Sequence, residues 1–271
     1  MPELPEVETV VRGLGPLLLG RRLLRVEARR PDLRWPLPAD LGVRLSGARV
    51  QALARRGKFG LLSTDRGDTL IFHLGMSGRI RVSPGSPHPH DHVLFAVEGG
   101  TVLAFHDPRR FGAMDIARTD ALGRHRWLAP LGPEPLDPAL APDHLARAAA
   151  GRVLAIKSLL MDQRVLAGIG NIYAAEALFR ARIAPARAAG RVAARRLIAL
   201  QAALADVLAE SIAAGGSSLR DHARVSGELG TYQLGFRVYG RQGKPCPACG
   251  RALRLSVIGG RSSVHCTACQ R

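Results

Sequence analysis

Phe59-Gly-Leu-Leu-Ser-Thr-Asp-Arg-Gly-Asp-Thr-Leu-Ile-Phe-His-Leu74 holds two short apolar runs, 59–63 and 69–74, separated by an Asp, an Arg and a Gly. Runs of this length, rich in aromatic and branched residues and divided by turn formers, predict antiparallel strands. The pattern extends both ways. Val93–Val97 and Thr101–His106 repeat it, and residues 22 to 117 together read as a sandwich or barrel. Upstream, Val7, Val10, Val11 and Leu14 fall at the i, i+3, i+4, i+7 spacing of a helix with one apolar face, and Pro5, Glu6 and Glu8 suit its first turn. Downstream, the proline-bearing stretch 130–142 predicts a linker, followed by helices near 152–163, 171–180 and 191–213. The last is striped by Leu197, Leu200, Leu204, Val207 and Leu208 and stopped by Gly215-Gly216.

The 271 residues carry 39 Lys and Arg against 22 acidic residues, a formal charge of +17, which points to a polyanion and first of all to nucleic acid. An Arg-rich composition would inflate this charge without any partner. Lysine, however, occurs only at Lys58, Lys157 and Lys244, each in or beside a motif. The absence of a long apolar run or a signal-peptide layout excludes a membrane partner and predicts a cytoplasmic protein.

Cys246-Pro-Ala-Cys249 and Cys266-Thr-Ala-Cys269 form two C-x-x-C pairs sixteen residues apart. Four thiolates at this spacing close a tetrahedral zinc shell with no position left for a reacting water, so one structural Zn2+ per chain is expected. Between the pairs, two strand-like runs flank Gly259-Gly260-Arg261, a hairpin with an Arg near its tip.

The opening Met1-Pro-Glu-Leu-Pro-Glu-Val-Glu-Thr9 resembles the N-terminus of bacterial formamidopyrimidine-DNA glycosylases. Arg56-Gly-Lys58-Phe59, His73-Leu-Gly-Met76-Ser-Gly78, Asp107-Pro-Arg109-Arg-Phe111-Gly112, Met161-Asp-Gln163, Gly168-Ile-Gly-Asn171-Ile-Tyr173 and the cysteine hairpin follow in that family's order. The resemblance implies an α+β multidomain fold. An N-terminal antiparallel β-sandwich with flanking helices (1–130) and a hinge (131–151) would precede a helix-two-turns-helix domain with a lesion-capping loop (152–240) and a zinc β-hairpin (241–271).

It also implies a bifunctional DNA glycosylase and abasic-site lyase of base excision repair, acting as a monomer on duplex DNA that contains oxidised bases or abasic sites. With Met1 removed, the Pro2 amine would attack the sugar C1′ and form a Schiff base, and β- and δ-elimination would follow. An ordinary α-amino group titrates near 7.7–8.0, and a helix N-terminus disfavours its protonation. Glu3 would move protons, with Glu6 and Glu176 in support and Lys58 and Arg261 beside the chemistry.

Met76, Arg109 and Phe111 would fill the gap left by the extruded nucleotide, although Met76 and Phe111 could equally be core residues. Lys58, Lys157, Asn171, Arg261 and His92 would contact DNA, Asn171 from a helix N-terminus. His88, His90 and His92, alternating with Pro and Asp, read as an exposed turn rather than a metal site. The capping loop, Leu219–Gln233, departs from its relatives: His222-Ala223-Arg224 stands where an aromatic is common.

Oxidised-pyrimidine glycosylases of the same superfamily are the alternative, but they carry Gly where this chain has Leu4. A damage-binding protein without catalysis would need no nucleophile. The implied setting is bacterial and nucleoid-associated.

Overall fold

The computed structural model describes residues 1–83, 85–217, 225 and 230–271. His222, Ala223, Arg224 and Gly227 of the expected capping loop lie outside the described residues. The chain divides into two compact units: Met1–Ala129 with Ala214–Thr231, and Pro130–Ala213 with Tyr232–Arg271.

The first unit opens with α1 (Leu4–Leu18), whose predicted stripe of Val7, Val10, Val11 and Leu14 is buried. Beyond the expected end at Leu14 the helix runs another turn, and it tolerates Pro16. Eight strands follow: β1 (Leu23–Ala28), β2 (Val50–Arg56), β3 (Phe59–Thr64), β4 (Asp68–His73), β5 (Arg79–Val82), β6 (Asp91–Val97), β7 (Val102–His106) and β8 (Ala113–Arg118). They form two four-stranded antiparallel sheets, β1-β6-β7-β5 and β2-β3-β4-β8. Side chains from both sheets, among them Phe72, Val93, Phe105 and Met114, share one apolar core with α1. The short helix α2 (Leu41–Leu45) packs on β1.

In the second unit the predicted linker is partly ordered into α3 (His144–Ala149), anchored where Gln201 Oε1 accepts the Leu145 N–H at 2.9 Å. The helix expected over 152–163 is confined to α4 (Ile156–Met161), because Ala155 is held in an extended bridge to Ala188. α5 (Asn171–Arg180) packs against α6 (Ala194–Ala213), and the buried Tyr173 and Ser211 hydroxyls join the two at 2.7 Å. Gly215 and Gly216 follow α6 with φ of 77° and 80°, the left-handed geometry of a glycine stop. The sequence boundary at 240 groups the residues after α6 with the helices, whereas Ser217 and Val225 pack in the first unit, Ser217 on Glu6 and Val225 in the sandwich core. The chain closes with the hairpin β9 (Arg254–Ile258) and β10 (Arg261–His265). Among the described residues no helix is long and apolar enough to cross a membrane.

Candidate active site and nucleic-acid interface

Glu3 is the N-cap of α1, and the Glu6 carboxylate reaches back to accept the Glu3 N–H at 2.9 Å, one arm of a capping box. Both carboxylates are buried, at 3% and 1% exposure, a costly position for charge unless it is hydrogen-bonded. The second Glu6 oxygen accepts the N–H and the hydroxyl of Ser217, each at 2.8 Å. The two positive-φ glycines before Ser217 turn it into place, and sequence reasoning did not single it out.

Pro2 is buried just ahead of this pair, while Met1 is 54% exposed. Burial lowers the Met1 α-amine below its ordinary value of 8.0, and Lys58 and Arg109 push it the same way against the pull of Glu3 and Glu6. Lys58 sits in the two-residue turn between β2 and β3, since Arg56 pairs with Phe59, and it is 7% exposed. His73, at the end of β4, also faces this group. Burial, the Lys58 and Arg34 charges and the terminal amine hold it at about 4. A neutral imidazole results, whose Nδ1 accepts the Gly75 N–H at 2.9 Å. The sequence motif contained His73 without suggesting this role.

Met76 and Phe111 are each 43% exposed, so neither is a core residue. Their loops are bound together. The buried Asp107 carboxylate accepts from the Ser77 hydroxyl at 2.6 Å and from the Gly112 N–H at 2.7 Å, and the Arg109 N–H donates to the Ser77 oxygen at 3.3 Å. Gly75 has φ of 64°, and a Cβ there would overlap the Phe111 carbonyl. The Arg109 guanidinium lies 4.9 Å from the Phe111 ring centroid, within cation–π range. Arg110 takes a φ of 55°, a left-handed strain that the surrounding hydrogen bonds sustain. The result is an exposed apolar pair with a cation, held on a fully bonded base.

His92 departs from the expected exposed turn: it lies in β6, is 5% exposed, and places Nε2 2.9 Å from the Asp107 carbonyl oxygen. His88 and His90 do sit exposed in the preceding turn.

In the second unit Asn171 is the first residue of α5. Its Oδ1 is buried and has no hydrogen-bond partner among the described residues, which is rare for a buried polar atom. The preceding loop is fixed by Gln163, which accepts the Gly168 N–H at 2.9 Å and donates to the Ile169 carbonyl at 2.7 Å. Lys157 is 1% exposed, and its Nζ donates to the Ser262 carbonyl at 3.0 Å and the Ser263 hydroxyl at 2.6 Å. It therefore ties α4 to the strand that begins at Arg261. Arg261 itself is exposed beside the tight Gly259-Gly260 turn. A Cβ on Gly259 would come within 2.7 Å of Ser158 in α4. Glu176 is structural in kind: its buried carboxylate accepts the N–H groups of Arg237, Val238 and Tyr239 at 2.9, 3.0 and 2.8 Å, which fixes the bend leading toward the cysteine hairpin.

The Sγ atoms of Cys246, Cys249, Cys266 and Cys269 all lie within 4.8 Å of one another, with Cys246–Cys269 at 3.9 Å and Cys249–Cys266 at 3.5 Å. Disulfides would need about 2.05 Å. Four thiolates around a tetrahedral ion with bonds of about 2.3 Å stand about 3.8 Å apart, so the quartet suits a structural metal.

The model of the formamidopyrimidine-DNA glycosylase N-terminal domain matches residues 1–114, and that of the family's H2TH domain matches residues 131–223. A formamidopyrimidine-DNA glycosylase of Rhizorhabdus wittichii is 54% identical over 271 residues, with both chains wholly covered. The crystal structure of the MutM (Fpg) protein of Thermus thermophilus is similar at a TM-score of 0.90 and 43% identity, over 99% of this chain and 98% of that one. Lactococcus lactis Fpg is 30% identical with full coverage of both chains. Its TM-score is 0.92 as a variant bound to DNA containing Fapy-dG and 0.91 as wild type bound to DNA containing an oxidised pyrimidine. This chain belongs to the formamidopyrimidine-DNA glycosylase family.

Proposed function

We propose that the chain excises oxidised purines, 8-oxoguanine and formamidopyrimidines, from duplex DNA through the Pro2 amine and then cuts the strand at the same site. Family membership makes it a DNA glycosylase of base excision repair. The observation that supports the finer reading is the N-terminus: burial and two nearby cations lower the Met1 amine, and the same surroundings, with two buried carboxyl groups, would favour a neutral, nucleophilic amine on Pro2 once Met1 is removed.

Once Met1 is removed, the Pro2 nitrogen attacks C1′, the glycosidic bond breaks, and the base leaves with its electron pair and a proton. Glu3 moves protons at the opening sugar. The iminium acidifies the C2′ hydrogen, so the 3′-phosphate leaves by β-elimination and the 5′-phosphate by δ-elimination. Lys58 lowers the amine and offers a cation to a phosphate. Glu6, held by Ser217, fixes Glu3 at its backbone.

Met76 and Phe111 fill the vacated stack, and Arg109 donates to the orphaned base. His92 acts through Asp107 at the base of that loop. In the second unit, Asn171 opens α5, whose N-terminal N–H groups favour a phosphate, and its side-chain amide would donate to the same group. Lys157 works by placing Arg261, and Glu176 by placing the cysteine hairpin. The quartet holds one zinc ion, whose contribution is folding energy rather than chemistry.

The test is borohydride trapping on a duplex with 8-oxoguanine opposite cytosine, run beside one with an oxidised pyrimidine. A covalent adduct at Pro2 formed preferentially with the purine lesion is the expected result. Preferential trapping of the pyrimidine lesion would move the chain to the alternative subtype. No adduct with either, from zinc-loaded protein lacking Met1, would overturn the mechanism.

A further inference from the structure

The histidines of the turn before β6 have a partner that the linear sequence hides. β6 and β7 pair so that Asp91 lies opposite His106, which brings the last residue of β7 under the turn. The rings of His88, His90 and His106 then form a triangle, with centroid separations of 5.4 Å (His88–His90), 4.9 Å (His88–His106) and 5.9 Å (His90–His106). Three imidazoles on one tetrahedral ion with bonds of about 2.0–2.1 Å place their ring centroids about 5 Å apart. From this geometry we propose that His88, His90 and His106 form a second metal site, for a borderline dication such as Zn2+, separate from the cysteine quartet.

Two features argue for a built site rather than a chance cluster. His106 is 6% exposed, and its Nδ1 lies 2.9 Å from Asp91 Oδ1. That is the carboxylate–imidazole arrangement by which proteins orient a metal-binding histidine, with Nε2 as the ligating nitrogen. Asp91 is itself clamped by the Arg81 guanidinium at 2.6 Å and by the His88 N–H at 2.8 Å, so its carboxylate holds both the ring of one histidine and the backbone of another. His88 Nδ1 accepts the His90 N–H at 3.2 Å, a bond that must break as this exposed ring turns to ligate.

Among the described residues only the cysteines already bring their ligand atoms within 4.8 Å of one another. Closing the histidine shell therefore requires rotation of the exposed His88 and His90 rings onto the fixed His106. Imidazole donors favour zinc, copper and nickel over magnesium or calcium. The Asp107 N–H donates to the His90 carbonyl at 2.9 Å, so an ion here would stiffen the base of the Arg109–Phe111 loop.

The experiment is equilibrium dialysis of the zinc-loaded protein against micromolar Zn2+, with metal counted per chain. Two equivalents are expected for the unaltered protein, and one for the surface variant His88→Asn/His90→Asn and for His106→Gln, each checked by circular dichroism. Magnesium should not compete. A single equivalent in the unaltered protein, or a second equivalent that survives in the surface variant, would overturn the proposal.

Discussion

Two hairpin tips each present a cation, and the scaffolds behind them differ in kind. Lys58 rides the β2–β3 turn, where an eight-stranded sandwich with a large apolar core supports it. Arg261 follows the β9–β10 turn, on two strands backed by a small cluster of Ala175, Val238, Cys246, Leu253, Val264 and Cys266. An isolated two-stranded hairpin is marginal in water. The first cation is placed by packing. The second has the cysteine quartet, the Lys157 tie and the Glu176 clamp in place of a large core. On the proposed mechanism, chemistry rests on the self-supporting part and grip on the conditional part.

Metal removal should separate the two most sharply. A structural zinc contributes apparent free energy on the order of 10–16 kcal/mol, so chelation should unfold the cysteine hairpin and abolish specific DNA binding. The sandwich should keep its near-ultraviolet signature and its melting transition, and loss of both signals together would erase the distinction. Next in size, Glu3→Gln should cut base removal by about 10²–10⁴-fold while affinity for abasic-site DNA stays within a few-fold, as gel shift and single-turnover rates would show. Arg261→Gln should do the reverse. Binding should weaken by about tenfold and the log–log salt slope should fall by about 0.9, while the residual protein still forms the Schiff base.

The smallest effect belongs to Lys58→Met. Lys58 lowers the amine, so its loss should raise that pKa, and the acid limb of the rate–pH profile should move to higher pH, by less than about one unit. A shift to lower pH would mean that the charge acts elsewhere.

What the sequence disclosed follows the same division between local and distant effects. The stripe on α1, the strands β3, β4, β6 and β7 and the cysteine quartet are periodicities or spacings within a few residues, and each was legible. β1 and β5 carry Arg25, Glu27, Arg79 and Arg81, edge-strand polarity that blurs alternation. The contacts that define the site were not legible, because they join residues far apart in the chain: Glu6 to Ser217, Lys157 to Ser263, and Asp91 to His106. Recognisable motifs supplied most of the candidate residues, but they could not show that Lys157 and Glu176 are occupied in holding backbone.

The contact of Gly75 with the Phe111 backbone makes the two wedge-bearing loops one heritable module. Neither can drift or be grafted alone, since a side chain at position 75 displaces the other loop, and a lengthened 107–112 segment has no partner to rest on. Among relatives the pair should be exchanged together or not at all, and a chimaera carrying only one foreign loop should lose the wedge while keeping the fold.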